Sequence, residues 1–153
     1  STIRPAENIL STHYNTLSKL NCILASIEAN KLKYDEGIMN DPYGNISTCN
    51  STNLFFIKKG QVWTSTGNFC LNGITRSKAI HICHINKIPC IETNFTFEDI
   101  KDCEEAFVTG TFAGIIPVTK IEKHKLSSTN SNSLVNKIRA SYNQYINQYI
   151  SSQ

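Results

Sequence analysis

Apolar and polar positions along the chain fall into two rhythms. Leu17, Leu20, Ile23, Leu24 and Ile27 recur at helical spacing, which predicts a core-facing helix over residues 16–31. The rhythm then changes. Residues 35–48, DEGIMNDPYGNIST, read as two short strands around the turn Asp41-Pro42-Tyr43-Gly44. Residues 53–64, NLFFIKKGQVWT, read as a second hairpin turning on Lys59-Gly60, where glycine accepts the left-handed conformation.

The second half returns to mixed elements. Gly73 precedes a helix that carries Ile80, Cys83 and His84, and Pro89 lies beyond its end. Residues 90–95, CIETNF, predict a strand, and Thr96 followed by Asp99 predicts a capped short helix over 97–102. Residues 105–121 read as two strands broken at Gly110, and residues 123–133, KHKLSSTNSNS, as a polar loop. A last helix from about Leu134 places Leu134, Ile138, Tyr142, Ile146 and Tyr149 on one side. Strands interleave with helices and hairpins, so the expected class is α/β (α+β) with a mixed sheet. No internal repeat is present, and residues 1–153 are expected to form a single domain.

Composition narrows the picture. The chain is 40% hydrophobic and 18% charged, which is globular rather than disordered. A domain of this length buries about 70% of its unfolded surface. The net charge of +3 comes from scattered lysines without a basic stripe, so no nucleic-acid partner is expected. No apolar run approaches the ~20 residues of a membrane span. No signal peptide is visible, and a cytoplasmic location is expected. The chain starts at Ser1 rather than Met, which also suits a processed piece and leaves an upstream targeting segment open. Six cysteines without a CxxC pair read as buried free thiols. Asn45, Asn50 and Asn94 each open an N-x-S/T sequon and are read as unglycosylated.

Candidate chemistry is sparse. His81, Cys83 and His84 share a helix, but no further ligand cluster lies nearby, so no metal is expected. The acidic run at 99–105 reads as a solvated face, and the Tyr142, Tyr145, Tyr149 series and Trp63 as packing residues. Two segments are more specific. In LNGITR, residues 71–76, Gly73, Ile74 and Thr75 form a turn that opens a helix, where free N–H groups and the helix dipole favour an anion. In FVTGTFAG, residues 107–114, Gly110 breaks a strand beside Thr109 and Thr111, and so allows close backbone approach with hydroxyl donors. Together they suggest two sides of one phosphate cup.

The ordered set LNxILAxIEAN (20–30), STNLFFIKKGQVWT (51–64), LNGITR (71–76), CEEAFVTGT (103–111) and IIPVTKI (115–121) resembles the large C-terminal domain of fold-type IV pyridoxal phosphate enzymes. That family includes branched-chain aminotransferases, D-amino-acid aminotransferases and aminodeoxychorismate lyase. The resemblance runs from about Arg4 to the last helix. It implies a mixed-sheet pseudo-barrel with packed helices, and pyridoxal 5'-phosphate held at Leu71, Ile74, Thr75, Gly110 and Thr111. Asn53 also matches. It further implies amino-acid and 2-oxo-acid substrates, a homodimer, and an N-terminal small domain that these residues lack.

Three departures stand against full activity. The resemblance puts Asn15 where the family's lysine bonds to the cofactor, Lys19 at the family's tyrosine, and Thr48 at the glutamate that pairs with the ring nitrogen. Asparagine has no basic amine. Ser51 replaces a glycine, and KLSSTNSNS replaces a glycine-containing loop. The expectation is a degenerate member, a pseudoenzyme with a retained phosphate cup. The alternatives are an active enzyme using Lys19, or a split enzyme whose partner supplies the small domain and a lysine.

Overall fold

In a computed structural model, the structure describes residues 2–6, 11–12 and 14–152. Ser1, on which the expectation of a processed chain turned, lies outside the described residues.

The centre is a five-stranded mixed sheet. Its strands are β3 (Asn53–Lys58), β4 (Gln61–Thr64), β5 (Cys90–Glu92), β6 (Glu105–Gly110) and β7 (Gly114–Val118), in the order β5-β4-β3-β6-β7. Only β4 and β5 run parallel; α2 (Ile74–Ile85) lies between them in sequence, as a parallel crossover requires. Hairpins join β3 to β4 and β6 to β7. Lys59 and Gly60 both take positive φ, which the tight β3–β4 connection requires. Strands β1 (Ile38–Asn40) and β2 (Ile46–Cys49) form a separate hairpin at the predicted turn, where the Asp41 carboxylate accepts from the Tyr43 and Asn45 N–H groups. The mixed-sheet α/β reading therefore holds.

Each sheet face carries its own core. On one, Phe55 stacks on Phe107 with ring centroids 4.6 Å apart, and α2 and α4 (Leu134–Ser151) cover them with Ile82, Cys83, Val135 and Ile138. On the other, Phe56 meets Phe95 edge-on, with Ile46, Ile100 and Cys103 around them. The alternation of Phe55 and Phe56 between faces is the period-two rhythm of the sequence.

Several expectations shift. α1 spans Leu20–Lys31, shorter than 16–31, and it is not core-facing in the way its periodicity suggests. Leu20, Ile23, Leu24 and Ile27 are 66%, 54%, 47% and 46% exposed, and Leu17 is fully exposed. The side turned inward carries Ala25 and Ala29. Gly37 lets α1 approach, because a Cβ there would stand 2.9 Å from the Ala25 carbonyl oxygen. The strand at 90–95 ends at Glu92, after which Phe95 leaves the sheet to fill the second core. The helix at 97–102 is α3 (Phe97–Ile100). The polar loop contains part of a small hairpin, β8 (Lys120–Ile121) and β9 (His124–Lys125). On α4, Tyr149 is exposed, while Val135 and Tyr145 join Leu134, Ile138 and Tyr142 on the packed face.

The outer strand β7 carries Pro117 opposite Phe107, within a pairing to β6 that runs unbroken from Gly110↔Gly114 to Ala106↔Val118. Among the described residues no helix is long and apolar enough to cross a membrane. All six cysteines are free.

Candidate functional site

The two segments picked out for an anion meet at one end of the sheet. Asn53 opens β3 and stands directly across from Thr109 on β6, so both side chains project from one sheet face. The Asn53 Nδ2 donates to the Leu71 carbonyl at 2.9 Å, and its Oδ1 lies 2.6 Å from where a Cβ on Gly73 would be. Glycine at 73 is thus required by close approach. Asn53 fixes the turn from which α2 begins.

No side chain caps α2, and no acidic residue occupies its first turn. Its leading N–H groups and the positive end of its dipole are therefore open to an anion. Thr75 is buried on that first turn, whereas the Ile74 side chain is 79% exposed, so Ile74 has only its backbone to offer. Thr109 is 2% exposed, and its Oγ1 is buried without a hydrogen-bond partner. A buried hydroxyl left unpaired costs roughly 1–3 kcal/mol, which an acceptor bound at this end of the sheet would recover. Gly110 follows, with its absent Cβ 3.4 Å from the Thr52 methyl, and Thr111 is exposed on the turn after β6. The residues present thus fit a phosphate.

Arg76 holds the helix in place. Its Nη2 donates to the Ser65 carbonyl at 2.6 Å and to Glu92 at 2.7 Å. With its charge paired on β5, this buried guanidinium anchors α2 to the sheet.

A cleft of about 430 Å³ opens beside this turn. Its walls include Arg4, Asn15, Lys19, Thr48, Asn53 and Leu71, and no carboxylate among the described residues. Arg4 and Lys19 thus give it a positive lining. Ile74, Thr75, Gly110 and Thr111 are not among its walls; Asn53 and Leu71 join the cleft to the cup. Lys19 is exposed at the residue before α1. Thr48 is buried and donates its hydroxyl to the Thr52 carbonyl at 2.8 Å, so it spends its donor on the β2–β3 corner. Glu36 accepts from the Ser51 and Thr52 hydroxyls. Burial, reinforced by the Glu36 charge, pushes the neighbouring Cys49 thiol far above its ordinary range and keeps it a neutral thiol. Glu36 does not face this cleft but a second one of about 740 Å³, between α1 and β7.

Sequence reasoning did not place Arg4 or Thr48's own hydrogen bond. It did name Thr109 beside Gly110, and alternation from buried Phe107 puts residue 109 on the same face. Among the described residues no three His, Cys, Asp or Glu side chains gather as a metal site, and His81 lies against the Tyr145 ring instead.

Residues 1–121 match the sequence profile described as amino-transferase class IV. The chain is 36% identical over 110 residues to branched-chain-amino-acid aminotransferase-like protein 2 of Arabidopsis thaliana, covering 72% of this chain and 19% of that protein. It is 30% identical over 123 residues to a Pseudomonas aeruginosa branched-chain-amino-acid aminotransferase, covering 80% of this chain and 40% of that protein. Among solved structures, the branched-chain aminotransferase of Thermoproteus uzoniensis with norvaline superposes with a TM-score of 0.86 at 29% identity, covering 94% of this chain and 48% of that one. The Thermobaculum terrenum branched-chain aminotransferase in its PLP form gives 0.89 at 26% identity, with 95% and 48% covered. The chain spans about half the length, or less, of these relatives.

Proposed function

This chain belongs to the amino-transferase class IV family, and on that premise we propose that it is a pyridoxal 5'-phosphate-binding domain whose own residues have lost ordinary transamination. The observation that carries the reading is the buried, unpartnered Thr109 hydroxyl on the residue across from Asn53, the side chain that holds the turn before uncapped α2. The leading N–H groups of α2, with Thr75 and Thr111, would hold the phosphate, and Asn53 would keep the turn in shape. Leu71, Ile74 and Gly110 would contribute backbone. When bound, the cofactor supplies an electron sink for a carbanion. The chain's own part in that chemistry is reduced. Asn15 lines the cleft but offers no amine, and neutral Thr48 cannot hold a proton on a ring nitrogen as a carboxylate would.

A second reading, an active transaminase of amino acids and 2-oxo acids, is favoured by one observation: the Lys19 side chain lines the same cleft as Asn15 and Asn53. A lysine amine there can attack a carbonyl once deprotonated. A lysine supplied by a partner would serve equally. Either reading includes a second polypeptide against the exposed apolar side of α1, a second copy in a homodimer or a small domain. The free cysteines support a reducing compartment such as the cytoplasm.

The test is titration with pyridoxal 5'-phosphate, followed by borohydride reduction and peptide mapping. Saturable binding, displaced by inorganic phosphate and leaving no reduced adduct, supports the first reading. A reduced adduct on Lys19 selects the second. Absence of binding overturns both.

A further inference from the structure

The second cleft, of about 740 Å³, is not used by the phosphate cup, and its volume suits a small molecule. Its floor is one rung of the sheet. Leu54, Val108 and Ile116 stand side by side on β3, β6 and β7. The facing wall is the inward side of α1, where Ala25 and Ala29 are small enough to leave the space open. Tyr34 and Phe97 add two aromatic rings to the walls. The Tyr34 hydroxyl donates to the Glu122 carbonyl at 2.8 Å and so ties the end of α1 to the β8–β9 turn.

The charged groups of this apolar space are mostly of one sign. Glu28, Asp35, Glu36 and Glu122 line it against the ammonium of Lys120, which stands over the Tyr34 ring. Among the described residues, Asp35, Glu36 and Glu122 make no ion pair. Glu36 is the carboxylate held in place. It is half-buried and accepts from the Thr52 hydroxyl at 2.6 Å and from the Ser51 hydroxyl. Both donors are neutral, so its charge is fixed without a cation, and a cation from the cleft would stabilise it. Asn40 brings a second acceptor, because its Oδ1 is buried without a hydrogen-bond partner. The two lie along one extended segment. The Gly37 N–H donates to the Asn50 side-chain oxygen and the Gly37 carbonyl accepts from the Asn50 N–H, which carries the β1–β2 ladder back to Gly37. Glu36, Ile38 and Asn40 line the cleft as alternate residues, while Met39 between them is fully buried. Four residues of extended chain put the Cα atoms of Glu36 and Asn40 at most roughly 13 Å apart.

We propose that this cleft binds a small organic cation, a primary arylalkylamine with a hydroxyl at its far end. Its ammonium pairs with Glu36, its apolar body lies on the Leu54–Val108–Ile116 rung, and its hydroxyl donates to the Asn40 Oδ1. The aromatic body suits the Tyr34 and Phe97 rings. An amino acid of the same shape is the poorer ligand, because its carboxylate would enter a space lined by carboxylates. The first cleft selects the opposite charge, since Arg4 and Lys19 line it and no carboxylate among the described residues does. The inference stands apart from the cofactor reading, because neither Glu36 nor Asn40 lines that cleft.

The test titrates the nitrogen-15-labelled full chain with tyramine and follows its amide resonances. Saturable shifts should appear at Gly37, Ile38, Val108 and Ile116, and not at Gly73 or Thr75. Three analogues separate the contacts. Tyrosol, with a hydroxyl in place of the ammonium, 2-phenylethylamine, without the far hydroxyl, and tyrosine, with an added carboxylate, should each bind about tenfold more weakly. Glu36→Gln keeps an acceptor for the Ser51 and Thr52 hydroxyls and removes the charge. It should weaken tyramine by about tenfold and leave tyrosol unchanged. Far-UV circular dichroism checks that the variant is folded, and the analogue series on the wild type decides the matter by itself if it is not. The proposal is overturned if tyrosol binds as tightly as tyramine, or if the shifts gather at the start of α2. It is equally overturned if tyramine gives no saturable shift while the Gly37 and Ile116 resonances move with protein concentration, which would assign the cleft to a second copy.

Discussion

Thr109 and Asn53 are chemically ordinary residues that become informative only as a pair. One has a buried hydroxyl with nothing to bond, and the other spends its amide on the turn in front of α2. Thr109→Val replaces the orphan hydroxyl with a methyl of similar size. Thermal unfolding of the free protein should be unchanged or more stable by about 1 kcal/mol, since an unsatisfied group is removed. Affinity for pyridoxal 5'-phosphate, read by the same titration, should fall. A folded variant with undiminished affinity would remove Thr109 from the cup. At this scale the sequence was partly legible. Gly73, Thr75 and Gly110 announce themselves through spacing and turn chemistry, whereas Asn53 enters only through the family resemblance. Arg76 and Thr48 do not announce themselves, because their roles rest on partners such as Ser65 and Glu92, or the Thr52 carbonyl, that no local pattern reveals.

Among the elements, α3 shows how far a short motif can be trusted. The Asp99 carboxylate accepts from the Thr96 N–H at 2.7 Å and from the Thr96 hydroxyl at 2.8 Å, as the Thr-x-x-Asp spacing predicts. The Thr96 N–H holds this carboxyl below its ordinary value of 3.8. A depressed folded value means the contribution is complete above pH 3.8 and disappears as pH falls through the folded value. Asp99→Asn should therefore lower the melting temperature at neutral pH and narrow its gap to wild type as pH falls below that window. A gap independent of pH between neutrality and the acid limb would contradict this. Helix α1 teaches the opposite lesson. Its periodicity correctly indicated a helix with one apolar side, but periodicity does not say what covers that side. The small residues Ala25 and Ala29 face the sheet domain across Gly37, and the large ones face away.

Across the whole molecule, the order of hairpins, crossover helix and final helix was legible because each carries its own turn signals. The separation into two cores was not, since it depends on Phe55 and Phe56 facing opposite ways. The exposed stripe of Leu20, Ile23, Leu24 and Ile27 is a feature of the assembled surface and is where the proposed second copy would pack. Ile23→Asn combined with Ile27→Asn should leave thermal stability nearly unchanged, because neither side chain is in the core. It should also lower the weight-average mass measured by sedimentation at equal concentration. Loss of stability without a change in mass would mean the stripe packs within one chain.

The edge strand with its proline bears on aggregation. Pairing with β6 continues through Pro117, so the N–H that proline lacks is one that would have pointed to the solvent side. A strand from another molecule laid along β7 would meet a missing donor in the middle of the ladder. Sheet-to-sheet growth into fibrils is therefore interrupted at that edge. Pro117→Val would restore the donor, and thioflavin fluorescence on prolonged warming should then rise after a shorter lag than in the wild type.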